Sequence, residues 1–325
     1  MLYPLQFHPI IKEKIWGGKK LQTILHKENA SEQSGESWEI SGLVDNASIV
    51  SNGSLRGKNL LELIEDFGSD LLGNKVLERH EKEFPLLIKF IDAADDLSVQ
   101  VHPDDSIAAQ YHGGFGKNEM WYIIEADPGA EIIVGVNEEM TPEEYKEQVA
   151  KKKIADSLRH IPVKPGDCIY IPTGTIHAIM KGVLLAEVQQ SSDITYRIYD
   201  WNRKGLDGKY RTLHTEEAAR VVNLSAQQPS LVPYKALYNQ KVLLVDSPYF
   251  QTKLCLINQK FSSFYKKNES FKIIINLEGE IHIQTPEKNS SLLLAPGQTA
   301  LIPACLQEVI FFQENNHCRF LEVSL

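Results

Sequence analysis

The sequence predicts a mainly β fold with two jelly-roll β-barrels and helical segments on the N-terminal one. Three observations support this. Short runs rich in β-branched and aromatic residues alternate with Gly, Pro or Asp turns along most of the 325 residues. One of these runs recurs later in the chain, and helical spacing is confined to two stretches. Many short strands with such turn punctuation are typical of a sandwich or barrel.

Two stretches have helical spacing. Apolar residues recur every three or four positions across 58–83, which predicts one or two helices that end before Pro85. A second helical pair is predicted across 141–159, where Thr141 can cap the helix and Pro142 suits its first turn. The acidic residues that follow Pro142 favour the helix dipole. Both stretches lie in the N-terminal two thirds of the chain.

The remaining elements are predicted strands, and one of them is repeated. PGDCIYIP at Pro165–Pro172 reappears as PGQTALIP at Pro296–Pro303. Two related barrels would explain this echo, and two unrelated hairpins that each turn on Pro-Gly are the alternative. We therefore predict a catalytic, metal-binding domain over 1–230 and a metal-free β domain over 231–325. The predicted strands are PLLIKFI, LSVQVH, EMWYIIEA, DCIYIP, GVLLAEVQQ and ITYRIYDW.

Composition excludes several classes of protein. The net charge of -9 argues against binding to nucleic acid, because a phosphate backbone requires a broad basic surface. The four cysteines contain no CxxC pair, so neither a disulfide framework nor a thiolate zinc site is indicated. The N-terminus lacks the apolar run of a signal peptide, and no later stretch approaches a membrane span. We predict a cytoplasmic protein that uses neither nucleic acid nor membrane.

Two motifs carry candidate metal ligands. In LSVQVHPDD, Gln100 and His102 share one face of a strand because side chains alternate. Pro172 and Gly174 make a tight turn that would hold His177 at the mouth of a barrel. Imidazole nitrogen and amide or carboxylate oxygen suit zinc. Taken singly, each residue is more simply explained as a surface or turn side chain.

The spacing G-x5-P-x-G-x2-H, which ends at His177, matches the second metal motif of the cupin superfamily. The chain further resembles type I mannose-6-phosphate isomerases in LIKFIDAADDLSVQVHPDD, GKNEMWYII, PTGTIHAI and EVQQSSDITYRIYDW, in the same order. The resemblance implies one zinc ion per chain. Its implied ligands are Gln100, His102, Glu119 and His177. Only sixteen residues separate His102 from Glu119, so the chain looks like the short bacterial form, which lacks a helical insertion at this point.

The resemblance also implies a sugar-phosphate substrate and basic residues to bind it. Lys89, Lys117 and Arg197 match basic residues of the family's active site. Lys89 lies in an otherwise apolar strand, where an idle charge would be costly. Asp193 and Arg197 would share a face if their strand is regular, and we place both in the site. Arg suits phosphate because of its planar charged fork.

These residues predict an isomerase that interconverts mannose 6-phosphate and fructose 6-phosphate through an enediol, assisted by zinc. Asp193, Lys117 and a water molecule on the zinc remain alternative proton shuttles. Two other functions compete: a metal-bearing sugar-phosphate sensor without turnover, and an iron-dependent cupin oxygenase. A glutamine in the first motif fits zinc better than iron. The C-terminal copy has Glu308 at the position of His177 and no QxH or HxH motif, which predicts a metal-free barrel.

Overall fold

The computed structural model describes residues 2–286, 291–314 and 317–325. Its Cα packing divides the chain into two compact units. One unit consists of Met1–Ile10, Trp38–Leu87 and Pro233–Leu325, and the other consists of Ile11–Ser37 and Ile88–Val232. The domain ranges 1–230 and 231–325 stay a prediction.

Strands dominate both units, which confirms the predicted mainly β fold. The N-terminal part of the chain contributes β1 (Ile10–Gly18), β2 (Ser34–Ser41), β3 (Leu86–Ala93), β4 (Val99–Val101), β5 (Glu119–Ala126), β6 (Glu131–Val136), β7 (Leu158–Pro162), β8 (Cys168–Ile171), β9 (His177–Ile179), β10 (Val183–Gln190) and β11 (Tyr196–Tyr199). Among the described residues these strands form two sheets, in the orders β1-β2-β3-β10-β5-β8 and β11-β4-β9-β6-β7. We call β3–β10 the first barrel.

The C-terminal strands repeat this pattern. They are β12 (Gln240–Asp246), β13 (Gln251–Ile257), β14 (Phe261–Phe264), β15 (Lys272–Glu278), β16 (Ile281–Gln284), β17 (Ser291–Leu294), β18 (Thr299–Ile302), β19 (Glu308–Phe312) and β20 (Cys318–Ser324). Their sheet orders within the described residues are β12-β13-β20-β15-β18 and β14-β19-β16-β17. We call β13–β20 the second barrel. Each of its strands occupies the same place in its sheet as a strand of the first barrel, so that β13 corresponds to β3, β14 to β4, and so on to β20 and β10. The repeated octapeptide lies on equivalent edge strands, β8 and β18.

Helices are short and flank the strands. They are α1 (Lys20–Thr23), α2 (Leu60–Phe67), α3 (Ser69–Leu72), α4 (Asn74–His80), α5 (Asp105–His112), α6 (Pro142–Ala150) and α7 (Thr215–Ala219), with 3-10 turns at Val44–Asn46, Gly53–Leu55 and Ile154–Ser157. The stretch 58–83 therefore holds three short helices, one more than predicted, because Gly68 and Gly73 interrupt it with positive φ. Among the described residues, no helix combines the length and apolar character that a membrane crossing requires.

The second predicted helical pair is half right. Thr141 caps α6 in a capping box with Glu144, and Pro142 occupies the first turn, as expected. The second helix of the pair is only a 3-10 turn, and Leu158 and Arg159 lie in β7. Pairing of β7 with β6 determines this strand, because Leu158 lies opposite Val136 and is buried there. Tertiary pairing has overridden the local helical pattern.

The interior of the first barrel changes character from one end to the other. Alternate residues of β5 point inward and form a stripe of buried side chains. This stripe begins at Glu119 and continues with the apolar residues Trp121 and Ile123. On β10 the stripe ends at Glu187 after buried Leu185. The apolar residues pack in one core cluster, and the ionisable ones lie together at one end of the barrel, which we call its mouth.

Candidate metal centre and active site

Four predicted ligands meet at the mouth of the first barrel. Gln100 in β4 is the direct cross-strand partner of His177, the first residue of β9. His102 follows β4 by one residue, and Glu119 is the first residue of β5. His102, Glu119 and His177 are all buried, and their ligand-type atoms lie within 4.8 Å of one another. Strand pairing thus brings together side chains that are far apart in the chain.

The distances within this cluster are short. The Nε2 atoms of His102 and His177 are 3.1 Å apart. Glu119 Oε2 lies 3.5 Å from His102 Nε2, and Glu119 Oε1 lies 3.4 Å from His177 Nε2. The side-chain amide of Gln100 is 3.4 Å from His177 Nε2. Four polar groups therefore surround one small volume.

The hydrogen bonds of the two histidines fix their tautomers. His102 Nδ1 donates to the carbonyl of Ile194 at 2.9 Å, and His177 Nδ1 donates to the carbonyl of Thr175 at 2.9 Å. Burial lowers the pKa of His177 to about 4 and the pKa of His102 well below its usual value, so both rings are neutral. Each ring then presents an Nε2 lone pair to the cluster. Metal-binding histidines use the same arrangement, in which one ring nitrogen donates to a carbonyl and the other is left for the metal.

The same cluster contains a buried acceptor without a donor. Glu119 is fully buried, and within the described residues its Oε1 has no hydrogen-bond partner. A buried carboxylate oxygen without a donor, beside the Nε2 atoms of two neutral histidines, costs free energy unless a cation lies next to it. Imidazole nitrogen and carboxylate oxygen are zinc-type donors. The residues present fit a divalent metal ion.

Lys117 supplies the positive charge next to this cluster. Its Nζ lies 2.5 Å from Glu119 Oε2 and 3.0 Å from His102 Nε2. Burial raises the pKa of Glu119 to about 7, even though the ammonium of Lys117 acts in the opposite direction. A divalent cation would compete with Lys117 for the same donor atoms.

Two backbone features hold the ligand-bearing segments in place. The Gly174 N–H donates to the carbonyl of His102 at 2.9 Å, which ties the predicted turn to the first motif. Gly174 has φ +82°, and an added Cβ would meet the carbonyl oxygen of Val221 at 2.8 Å. A turn thus lies between β8 and β9 where the sequence predicted one, and its role in holding a metal ligand stays a prediction.

The loop before Glu119 is fastened by a side-chain network. Gln190 Oε1 accepts from the backbone N–H of Asn118 at 3.0 Å and from its side-chain amide at 2.7 Å. Gln190 Nε2 donates to Asp105 at 2.9 Å. Asn118 lies between Lys117 and Glu119, so these bonds orient both residues.

Beside the cluster lies a polar cavity of about 310 Å³. Lys89 and Glu187 form a buried ion pair there at 3.3 Å, and Trp121 donates to the other oxygen of Glu187 at 2.9 Å. Arg197 reaches the cavity from β11, where it lies opposite Gln100. Arg211 also lines it. The cavity is therefore rich in cations and adjoins the candidate metal ligands.

Every sequence-predicted site residue lies in this region. Gln100, Lys89, Lys117, Asp193 and Arg197 line the cavity, and His102, Glu119 and His177 form the adjoining cluster. The reasoning for Asp193 was wrong in one respect: it precedes β11 and is exposed, so no regular strand places it on a face with Arg197. The two side chains meet at the cavity because the chain turns into β11.

Sequence reasoning missed four charged residues of the cavity, Lys14, Glu36, Glu187 and Arg211. Glu187 could have been found from the sequence. It is an acid within the apolar run GVLLAEVQQ, just as Lys89 is a base within PLLIKFI, and a charge in an apolar strand is costly unless it is paired. Arg211 had none. It lies in an irregular segment and is held by Asp200, to which its Nε donates at 2.7 Å.

A jelly-roll barrel that holds a buried cluster of two histidines and one carboxylate defines the class: a cupin-fold protein with a candidate metal site. Comparisons with known proteins narrow this class. Residues 4–156 match the family model described as phosphomannose isomerase type I, catalytic domain. The chain is 41% identical over 253 residues to the probable mannose-6-phosphate isomerase GmuF of Bacillus subtilis, covering 77% of this chain and 78% of that one.

Further relatives agree. The mannose-6-phosphate isomerase of Streptococcus mutans is 41% identical over 251 residues, covering 77% of this chain and 78% of its own length. The crystal structure of the mannose 6-phosphate isomerase from Bacillus subtilis superposes with a TM-score of 0.84 at 32% identity, covering 100% of both chains. The chain belongs to the type I phosphomannose isomerase family. This confirms the resemblance inferred from the sequence and the prediction of an isomerase.

Proposed function

We propose that this chain interconverts mannose 6-phosphate and fructose 6-phosphate with the help of one zinc ion. The observation that carries the proposal is the buried cluster of His102, Glu119 and His177, whose lone pairs adjoin a cavity lined by cations. Relatives that are 41% identical are named for this activity. A sugar phosphate has the charge and the size class for such a cavity.

The proposed ligands are Gln100, His102, Glu119 and His177. The two Nε2 atoms and the Glu119 carboxylate are the strongest donors, and the amide of Gln100 completes the set. When bound, zinc would supply a Lewis acid for a hydroxyl or carbonyl oxygen of the sugar. The surrounding protein excludes water, because the side chains of His102, Glu119 and His177 are almost inaccessible to solvent.

Lys89 and Arg197 are the proposed phosphate-binding residues. Burial opposes the ammonium of Lys89, but the carboxylates of Glu187, Glu36 and Asp193 outweigh it and raise its pKa to about 12. Lys89 is therefore a permanent cation. Arg197 donates through Nε to Ser98 at 3.3 Å and through Nη1 to the carbonyl of Thr212 at 3.0 Å. These bonds orient its guanidinium beside the cavity, where a planar fork suits phosphate.

Asp193 is the proposed base. Glu187 already accepts from Trp121 and pairs with Lys89, and Glu36 pairs with Lys14 at 3.3 Å. Within the described residues, the Asp193 carboxylate has no hydrogen-bond or ion-pair partner. A carboxylate that no donor occupies has both oxygens available to take a proton from the substrate.

Lys117 is the proposed acid partner of this base. In the forward direction, Asp193 takes the proton from C2 of the aldose, the C1–C2 double bond forms, and Lys117 gives a proton to the carbonyl oxygen at C1. The enediol then returns the proton of its O2 hydroxyl to Lys117, while Asp193 protonates C1. The product is the ketose, and both residues regain their initial protonation states. This sequence needs no outside reactant.

A coupled assay that follows fructose 6-phosphate formation from mannose 6-phosphate tests the proposal. We expect turnover by the wild type and about a hundredfold lower kcat for Asp193→Asn with little change in KM, because a general base contributes about that factor. Asp156→Asn is the matched control, since Asp156 is exposed outside the cavity. Unchanged kcat in Asp193→Asn would transfer the role of base to another group.

The same assay, together with metal analysis and a measurement of oxygen consumption, separates the alternatives. A sugar-phosphate sensor would bind mannose 6-phosphate without converting it. A cupin oxygenase would be purified with iron and would consume oxygen. The cations at Lys89, Lys117 and Arg197, together with Asp193, favour the isomerase because a sensor needs neither the base nor its acid partner.

A further inference from the structure

The mouth of the second barrel opens into a polar cavity of about 660 Å³. The residues that line it belong to one compact unit. They include five lysines, namely Lys75, Lys241, Lys253, Lys266 and Lys272. A volume of this size is within the range of small-molecule sites.

The strand repeat shows how this cavity relates to the candidate active site. Glu119 begins β5 and lies opposite Ile171 in β8, the last strand residue of the first octapeptide copy. Lys272 begins β15 and lies opposite Ile302, the corresponding residue of the second copy. A lysine therefore stands at the place of the carboxylate that is the proposed ligand in the first barrel. At this position the second barrel has the ammonium group of Lys272, whereas the first barrel has the carboxylate of Glu119, which could bind a cation.

Part of the charge in the cavity is neutralised internally. Glu322 accepts from the Nζ of Lys241 at 2.6 and 2.8 Å and from the hydroxyl of Tyr265 at 2.6 Å. Lys75 pairs with Glu269 at 2.5 Å. These acids are therefore already occupied by other donors.

Three lysines of the cavity remain uncommitted. Within the described residues, the side chains of Lys253, Lys266 and Lys272 form no ion pair and donate no hydrogen bond. The remaining acid of the cavity, Asp246, accepts from Gln251 at 3.1 Å. Three free ammonium groups outnumber this one remaining carboxylate.

Lys272 is the most constrained of the three. It is half-buried, and its Nζ lies over the ring of Tyr265, 5.5 Å from the centroid. Burial lowers its pKa to about 8, although Glu322 and Glu269 act in the opposite direction. A partly desolvated ammonium without an acceptor costs free energy, and an anionic ligand would recover it.

We propose that this cavity binds a small phosphorylated metabolite, whose phosphate is held by Lys253, Lys266 and Lys272. Phe264 lies on the wall and is 74% exposed, which gives the organic part of the ligand an apolar surface. The site is separate from the candidate active site, and the inference does not rest on the proposed isomerase activity. The first barrel would bind a cation at its mouth, and the second an anion.

Equilibrium dialysis of the full chain with glucose 6-phosphate tests the proposal. We expect the wild type to bind one more equivalent of glucose 6-phosphate than Lys272→Met, because the variant keeps the side-chain stem but loses the charge. Unphosphorylated glucose should not occupy this additional site. The matched control is Lys260→Met, since Lys260 is exposed in the same unit and lies outside the cavity.

Folding of each variant is checked by its unfolding temperature and its isomerase activity. If Lys272→Met does not fold, Lys253→Met decides, and about tenfold weaker binding is expected from the loss of one charged contact. Equal numbers of bound equivalents in the wild type and a folded Lys272→Met variant would overturn the proposal, as would a wild type that binds no glucose 6-phosphate.

Discussion

The two barrels have the same strand order but differ in the chemistry of their mouths. In the first, β4 and β9 present Gln100 opposite His177. In the second, the equivalent strands β14 and β19 present Phe264 opposite Glu308. Where Glu119 begins β5, Lys272 begins β15. The residues that would hold a cation in one barrel are replaced by an aromatic ring, an acid and an ammonium in the other.

Each barrel has a glutamate at the same position of its mouth. Glu187 lies opposite Trp121, two residues into β5, and Glu322 lies opposite Ile274, two residues into β15. Each acid is paired with a lysine, Glu187 with Lys89 and Glu322 with Lys241. The scaffold therefore positions the same kinds of groups in both barrels, and a few substitutions at the mouth determine which ligand it suits. The fold alone does not specify function.

The largest expected effect comes from the position where the barrels differ in charge. Glu119→Gln should remove the bound metal and lower kcat/KM by about a thousandfold, because a neutral amide is a poor replacement for a ligand carboxylate. The corresponding change in the second barrel, Lys272→Met, should leave isomerase activity within about twofold. Steady-state kinetics with metal analysis measures both. Equal losses in the two variants would break the comparison.

The glutamate at this shared position provides the next test. Lys89→Met leaves Glu187 buried without its cation, and the free energy of unfolding should fall by about 3 kcal/mol. Adding Glu187→Gln should restore most of this stability but not the activity. Lys241→Met should cost about 1 kcal/mol, because the Lys241 side chain is 23% exposed and water already screens its ion pair with Glu322. Urea denaturation gives these values, and a larger loss in Lys241→Met than in Lys89→Met would contradict the account.

The turn before His177 also differs between the two barrels, and a smaller effect on stability is expected there. Gly174→Ala forces a Cβ against the Val221 carbonyl at positive φ, and should cost about 2 kcal/mol of stability. The second barrel has Cys305 at the equivalent position, and its φ is not positive. Cys305→Ala should therefore change the free energy of unfolding by less than about 1 kcal/mol. Thermal unfolding of both variants measures the difference, and equal costs would show that the turn has no special role.

The smallest predicted effect concerns the hydrogen bonds between Gln190 and Asn118, which hold the segment next to Glu119 in place. Gln190→Leu removes the acceptor for both amide groups of Asn118, so the loop that carries Lys117 and Glu119 loses its anchor. Metal affinity should fall about tenfold, as is typical when a residue that hydrogen-bonds next to a metal ligand is lost. Competition with a chelator measures the affinity. An unchanged affinity would mean that strand pairing alone orients Glu119.

Much of the fold was predictable because its signals are local. The run EMWYIIEA coincides with the strand β5, and the repeated octapeptide correctly indicated two related barrels. The candidate ligands Gln100, His102 and His177 could be singled out because two of them share a strand face and a Pro-x-Gly turn precedes the third. Alternation along strands and turn chemistry do not depend on distant parts of the chain.

Other features depended on long-range packing and were not predictable. Leu158 and Arg159 continue a helical pattern but form β7, because pairing with β6 buries Leu158. Arg211 reaches the cavity from an irregular segment held by Asp200. The uncommitted charge of Lys272 becomes visible only when the surrounding acids are seen to have other partners.

Metal analysis of the protein, purified without added metal, tests the central claim most directly. The account predicts about one equivalent of zinc per chain in the wild type, from a site with a single set of four donors, and almost none in Glu119→Gln. Lys272→Met should retain the wild-type content. A metal-free wild type with full isomerase activity, or zinc that persists in Glu119→Gln, would contradict the account.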